Sequence, residues 1–287
     1  MKPHAPYILI TLITLLLAAS LACAADTPNP PDSPPTNPQQ AQPAPEPLDP
    51  ALDKLLDNIE QHSTNLKTFQ ADMVYRQEQL DLDVVTVQTG RLYYQADEKR
   101  VCFRIHFDDF LQQDLEDDEE PRPVKTNEDI AFDGLWLTRR NERTKFLQKW
   151  KIAKTPRKPE DFRLGKGPFP LPFALRKADI IAEFNIELVK PSEKDPKDTH
   201  HLLLKPKPKS TFAEEYTTLE LWFSRDLYLP HQLRFAQPDN EVTLVQWTKL
   251  KIDKKIPAKN FELQAPGPDW SIETVPLKDN PPAPEDK

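Results

Sequence analysis

From residue 66 onward the chain alternates apolar and polar positions. Phe69, Ala71, Met73 and Tyr75 stand two apart, as do Val101, Phe103, Ile105 and Phe107, with Cys102, Arg104, His106 and Asp108 between the latter. A period of two places each set on one face of a strand. Similar strands are predicted over 84–94, 129–133, 135–139, 144–152, 184–189, 199–205, 216–224, 229–236 and 241–252. Their joins are short and carry turn residues, as at Asp133-Gly134, Arg140-Asn141, Arg225-Asp226 and Pro238-Asp239-Asn240. Consecutive strands joined in this way pair antiparallel.

Two segments depart from that period. Asp49-Pro50 followed by Leu52, Leu55, Leu56 and Ile59 predicts an amphipathic helix with an acidic N-cap and proline at its first position. After the proline-broken stretch 165–171, Phe173, Leu175, Ile180 and Ile181 share a helical stripe over 172–182. Two short helices cannot cover a flat sheet of about ten strands, so the sheet is expected to curl around them. The expected fold class is α+β, mainly β: a curled antiparallel sheet forming an incomplete barrel, closed by a few short helices around a cavity.

The ends read differently from the middle. Residues 1–24 have a basic start, an apolar run over 7–17 and small residues to Ala22-Cys23-Ala24, the pattern of a secretory signal peptide. Cleavage after Ala24 is the expected outcome and a periplasmic location its consequence. A lipid-modified Cys23 is the alternative, although a lipobox wants a leucine-like residue where Ser20 stands. Residues 25–48 are rich in proline and poor in large apolar side chains, which predicts a disordered linker. The folded domain is expected over 49–277, with a polar tail over 278–287. Cys102 would then be the single cysteine of the exported chain, and its place in a strand suggests a small apolar core residue.

Charge and composition narrow the chemistry. A formal net charge of −8 argues against nucleic-acid binding, which needs a basic surface. The chain has 5 glycines, none in a nucleotide-binding loop. No G-x-S-x-G elbow, H-E-x-x-H or comparable catalytic motif occurs, so no enzyme activity and no cofactor are expected. His200-His201 cannot converge on one ion, because strand neighbours point to opposite faces. His62, His106 and His231 show no ligand spacing around them, and no metal is expected. The acidic run 114–120 reads as a solvated loop, and Arg139-Arg140-Asn141-Glu142-Arg143 as a charged hairpin tip.

The order of features resembles a known family. An export signal, an opening amphipathic helix, the strand start Leu66-Lys67-Thr68-Phe69-Gln70-Ala71-Asp72 and the segment Thr89-Gly90-Arg91-Leu92-Tyr93-Tyr94 are similar to the LolA-type outer-membrane lipoprotein carriers. So are Ile130-Ala131-Phe132-Asp133-Gly134-Leu135-Trp136, Leu219-Glu220-Leu221-Trp222-Phe223-Ser224 and Asn260-Phe261-Glu262-Leu263-Gln264-Ala265-Pro266. The resemblance covers most of 51–272. It implies an apolar half-barrel that accepts acyl chains of a lipoprotein, with membrane-bound donor and acceptor proteins. One departure stands out: where the carriers have a basic residue followed by proline, this chain has Gln95-Ala96-Asp97.

The expected cavity wall is Met73, Tyr75, Leu92, Tyr94, Phe103, Ile105, Phe107, Phe132, Leu221, Phe223, Leu233, Phe235 and Trp247. Phe173, Leu175 and Ile180 form the expected lid. Each is more often a packing residue than a ligand contact when taken singly. The functional expectation is a monomeric periplasmic carrier that shelters the acyl chains of a lipoprotein or lipid. The alternative is a non-enzymatic envelope sensor or scaffold that uses a sheet edge or the basic turn to bind another protein.

Overall fold

A computed structural model describes residues 48–114, 121–162, 173 and 175–277. The expected signal peptide, most of the linker, the tail and nearly all of the acidic run lie outside the described residues. The opening helix, α1 (Pro50–Asn65), buries Leu52, Leu55, Leu56, Ile59 and Ser63 along one face. Asp49 accepts hydrogen bonds from the amides of Ala51 (2.8 Å) and Leu52 (3.2 Å), which satisfies two donors that the first turn cannot pair internally. Asp49→Ala is expected to lower stability by about 1 kcal/mol, read from the denaturant midpoint; an unchanged midpoint would show that the cap does no work.

Two meanders make one sheet. The first runs through β1 (Thr68–Gln79), β2 (Val84–Ala96), β3 (Val101–Asp114), β4 (Val124–Phe132), β5 (Trp136–Asn141) and β6 (Phe146–Lys151). The second runs through β7 (Phe184–Val189), β8 (Thr199–Pro206), β9 (Thr218–Ser224), β10 (Pro230–Ala236) and β11 (Glu241–Ile252). They join where β1 pairs antiparallel with β11, Met73 opposite Trp247 and Tyr75 opposite Val245. A last strand, β12 (Ser271–Val275), was not expected from the sequence, and it pairs parallel with β6. The order is therefore β12-β6-β5-β4-β3-β2-β1-β11-β10-β9-β8-β7, with β12 and β7 as its edges among the described residues.

The sheet curls around its inner face. Phe132 and Leu137 from β4 and β5 share one core cluster with Phe184 and Leu202 from β7 and β8, although these strands lie toward opposite ends of the sheet. Bulges assist the curl by increasing local twist. They occur at Asp108, which β2 skips between Thr89 and Gly90, and at His231, which β9 skips between Pro230 and Gln232. The expected Asp133-Gly134 turn is present: Asp133 accepts from the amides of Leu135 and Trp136, and Gly134 takes φ 102°, which glycine adopts without penalty.

The second helix is shorter than the sequence reading. α2 spans Lys177–Glu183, so Phe173 and Leu175 precede it instead of sharing its stripe. The reason is tertiary. The Leu175 carbonyl accepts from Ser63 Oγ (3.1 Å), and the Lys177 amide donates to Glu60 Oε2 (3.0 Å), so α1 provides the groups that start this helix. Among the described residues no helix is long and apolar enough to cross a membrane.

Candidate functional site

The inner face of the curled sheet gathers the side chains that alternation singled out. Across β4, β3, β2 and β1, Phe132 lies opposite Phe103, Phe103 opposite Tyr94, and Tyr94 opposite Phe69. Ile105 lies opposite Leu92. On the other meander Leu233 faces both Val245 and Leu221, and Leu221 faces Leu202. Met73, Tyr75, Leu92, Tyr94, Phe103, Phe107, Phe132, Leu221, Phe223, Leu233 and Trp247 are all buried in the core cluster, while Ile105 and Phe235 are partly buried against it. The same alternation places Phe69, Ala71, Ile130, Leu137, Leu204, Leu219 and Val245 in this layer, residues the sequence reading left out of the wall.

The cover consists of α1, Phe173, Leu175 and the buried side of α2. The Phe173 ring sits 4.8 Å from the Phe69 ring and 4.7 Å from that of Tyr94. Ile180 is buried from α2, and Phe162 and Phe212 close the flanks against Phe132 and Phe184. The cover's polar ties join its parts to one another and join α2 to the segment that follows β8. Lys177 Nζ lies 2.8 Å from Asp53 and from Asp57 on α1, and Lys207 Nζ donates to the Ile181 carbonyl (2.6 Å). Toward the wall it presents rings and aliphatic groups, which meet through non-directional apolar contact.

A polar band follows the apolar wall along the strands. Gln77, Thr86, Gln88, Thr243 and Glu241 are buried beyond Met73 and Val245, and Gln77 donates to Glu241. Burial pushes the Glu241 carboxyl above the usual range, against the hydrogen bond from Gln77. On β4, burial likewise pushes the Glu128 carboxyl up despite its ion pair with Arg139. The Tyr75 hydroxyl is pushed up to about 12 by burial, and those of Tyr94 and Tyr216 rise for the same reason. Sequence reasoning missed this band because Gln and Thr at inward positions look the same as outward ones until the register is known.

The outer face holds the histidine surprises. His106, which showed no partner spacing in sequence, lies 2.7 Å from Asp129 Oδ1, an oxygen that also accepts from Arg104 Nε (2.8 Å). Burial works to raise the Asp129 carboxyl, but the hydrogen bonds and charges of His106 and Arg104 outweigh it and hold it below the usual range. Arg104 also donates to the carbonyls of Asn260 (3.3 Å) and Glu262 (3.2 Å), which ties the C-terminal segment across β3. His200 and His201 point to opposite faces as expected: His200 stacks on Tyr228, while His201 stacks on Trp222 at 4.2 Å and meets Asp195 and Glu220. Cys102 is half-buried on the outer face and is not part of the core, because it shares the phase of Arg104; burial pushes its thiol up.

The basic turn is not a free surface. Arg139 turns inward to Glu128, and Arg140 is buried between Glu142 (2.6 Å) and the Trp270 ring, whose centroid is 4.4 Å from the guanidinium carbon. Open grooves lie elsewhere. One of about 490 Å³ is lined by Pro191, Asp195, Lys197, Thr199 and Arg225, and an adjoining one of about 220 Å³ by Leu188, His200 and His201. Among the described residues no group of three His, Cys, Asp or Glu side chains is placed to hold a metal ion.

An unclosed sheet curled about an opening helix, with a second short helix completing the cover, is the arrangement the sequence resemblance implies. The fold class is α+β, mainly β, built on one curled and largely antiparallel sheet. No family model matches the chain, and no curated protein matches it. Among solved structures this chain is similar to a chain of the MucA/MucB complex from Pseudomonas aeruginosa, at 13% identity over 75% of this chain, with a TM-score of 0.42. It spans only 61% of that matched chain. An uncharacterized conserved protein from Thermus thermophilus matches at 12% identity, 79% of this chain, 99% of that one and a TM-score of 0.42. A LolA superfamily protein from Nitrosomonas europaea matches at 14% identity, 74% of this chain, 97% of that one and a TM-score of 0.30.

Proposed function

We propose that this protein is a non-catalytic periplasmic carrier that shelters the acyl chains of a lipoprotein or lipid on the inner face of its sheet. The observation that carries this reading is the division of labour at that face. The wall is a continuous apolar surface, and the polar ties of the cover run among its own parts and to the segment that follows β8 rather than to wall side chains. Lifting Phe173, Leu175 and Ile180 from the wall therefore sacrifices apolar contact, which an incoming acyl chain restores at about 0.8 kcal/mol per buried methylene. Release would reverse the exchange at an acceptor membrane protein, after loading from a donor. The export pattern of residues 1–24 supports the location.

Native mass spectrometry with lipid extraction, on monomeric protein purified gently from its own periplasm, tests the reading. Bound lipid or acylated protein is the expected result. A purified protein that is empty and cannot bind a neutral naphthylamine dye displaceable by acyl ester would refute it. Phe173→Ala gives a second readout: it is expected to cost about 3 kcal/mol of stability while tightening dye binding severalfold, since a poorly packed cover competes less well with ligand. Equal dye affinity in both proteins would remove Phe173 from the lid.

A second reading rests on β7, whose backbone pairs with β8 on one side and forms an edge of the sheet on the other. An edge of this kind accepts a strand from another protein. Recovery of one stoichiometric envelope protein, without lipoprotein, would favour a sensor or scaffold over a carrier.

A further inference from the structure

The inner face contains a hydrogen-bond donor that no group among the described residues uses. Trp247 lies on β11 opposite Met73, with 3% of its surface exposed, and its indole Nε1 is buried without a partner among the described residues. Leaving such a donor dry costs about 1–3 kcal/mol, so a fold keeps one only where something else answers it. By comparison, the buried indole of Trp222 on the outer face donates to Asp195 at 2.8 Å. Nor is Trp247 alone. His231, bulged out of the β10–β9 register next to Gln232, likewise has its Nδ1 buried and without a partner among the described residues.

The surroundings say what kind of acceptor fits. Met73, Val245 and Leu233 are the apolar neighbours of this position in the sheet, so the ligand that reaches it must be largely hydrocarbon. Of the groups further along the face, Gln77, Thr86, Gln88 and Thr243 are neutral, Glu241 is a carboxyl, and Arg139 is already paired with Glu128, so none of these offers a free cation to an anion, and burying an unpaired carboxylate would cost far more than one hydrogen bond returns. A neutral carbonyl on an alkyl chain meets both demands. We propose that Trp247 Nε1 donates to the carbonyl oxygen of an acyl ester or acyl amide, and so fixes how deep the chain enters the inner face. This deepens the carrier reading and rests on it: the site would select acylated glycerol or acylated protein over free fatty acid.

Displacement of a neutral naphthylamine dye by three ligands of equal chain length separates the possibilities: methyl palmitate, hexadecane and palmitate. Wild-type protein is expected to bind methyl palmitate about tenfold more tightly than hexadecane, the worth of one buried hydrogen bond, and to discriminate against palmitate. Trp247→Phe keeps a ring but removes the donor, and is expected to abolish the ester preference, read as the ratio of the methyl palmitate and hexadecane affinities. If the variant weakens both ligands alike, or neither, the indole serves packing or holds a water, and the anchor is overturned while the carrier reading stands. If wild-type protein binds none of the three, the carrier reading fails and takes the anchor with it. With the preference established, a dipalmitoylated lipopeptide and dipalmitoylphosphatidylglycerol distinguish a lipoprotein source from a lipid one.

Discussion

Gly90→Ala is expected to destabilise the protein by about 3 kcal/mol, at the upper end for adding a methyl group to a packed interior. Gly90 sits on β2 at the bulge, where β3 passes from Phe107 to Asp109 against a single step of its partner. A Cβ here would overlap the His106 carbonyl oxygen and come within 2.8 Å of both the His106 carbonyl carbon and the Phe107 Cα. All three are backbone atoms, so no side-chain rotation relieves the overlap; β2 and β3 would have to separate. Thr89→Ala, one residue away on an exposed position, provides the control and should stay within about 0.5 kcal/mol of wild type. Chemical denaturation of both variants measures the difference. A Gly90→Ala midpoint equal to that of Thr89→Ala would show that the bulge yields freely.

Asp129→Asn should cost about 2–3 kcal/mol at pH 7. The carboxylate is 4% exposed and receives both Arg104 and His106, with Arg140 3.9 Å away, so the neutral amide leaves a largely buried guanidinium without its counter-charge. The pH dependence follows from the direction of the shift. The folded-state pKa of Asp129 is depressed, so its stabilisation is complete above the unfolded carboxyl value of about 3.9 and is lost as pH falls through the lower folded value. The difference between wild type and variant should therefore hold from pH 7 down to about pH 4 and shrink only as denaturation is repeated at still lower pH. Hydrogen exchange should also quicken near Glu262 and in β12, because Arg104 holds that segment through the Asn260 and Glu262 carbonyls. A cost independent of pH would mean that packing, not charge, is what Asn disturbs.

These two positions also show where sequence reading stops. Gly90 was legible as part of a family-like segment, but its need for an absent side chain comes from the His106 carbonyl on the next strand. Asp129 and His106 are 23 residues apart, with no spacing that marks them as partners; the β3–β4 register places them opposite each other. The bulge at Asp108 also reverses which residues of β3 face inward beyond Phe107, so that Phe110 rather than Asp109 stands opposite the buried Gln88. Alternation within one uninterrupted strand is local and can be counted, whereas a bulge is a compromise between two strands and leaves no mark in either alone.

By itself, the sequence determined which segments become strands β1 to β11, the phase of each up to its first bulge, the opening helix with its Asp49 cap, and hence a mainly antiparallel sheet that must curl to bury one face. Those features depend on neighbours two, three or four residues away, where side-chain periodicity and capping act. Only the tertiary structure decided that α2 begins at Lys177, that β12 returns parallel to β6, that a polar band continues the apolar wall, and that Trp247 is left with an unanswered N–H. Each of these depends on which distant groups burial brings within hydrogen-bond reach, and it is the packing of the whole sheet that sets those distances.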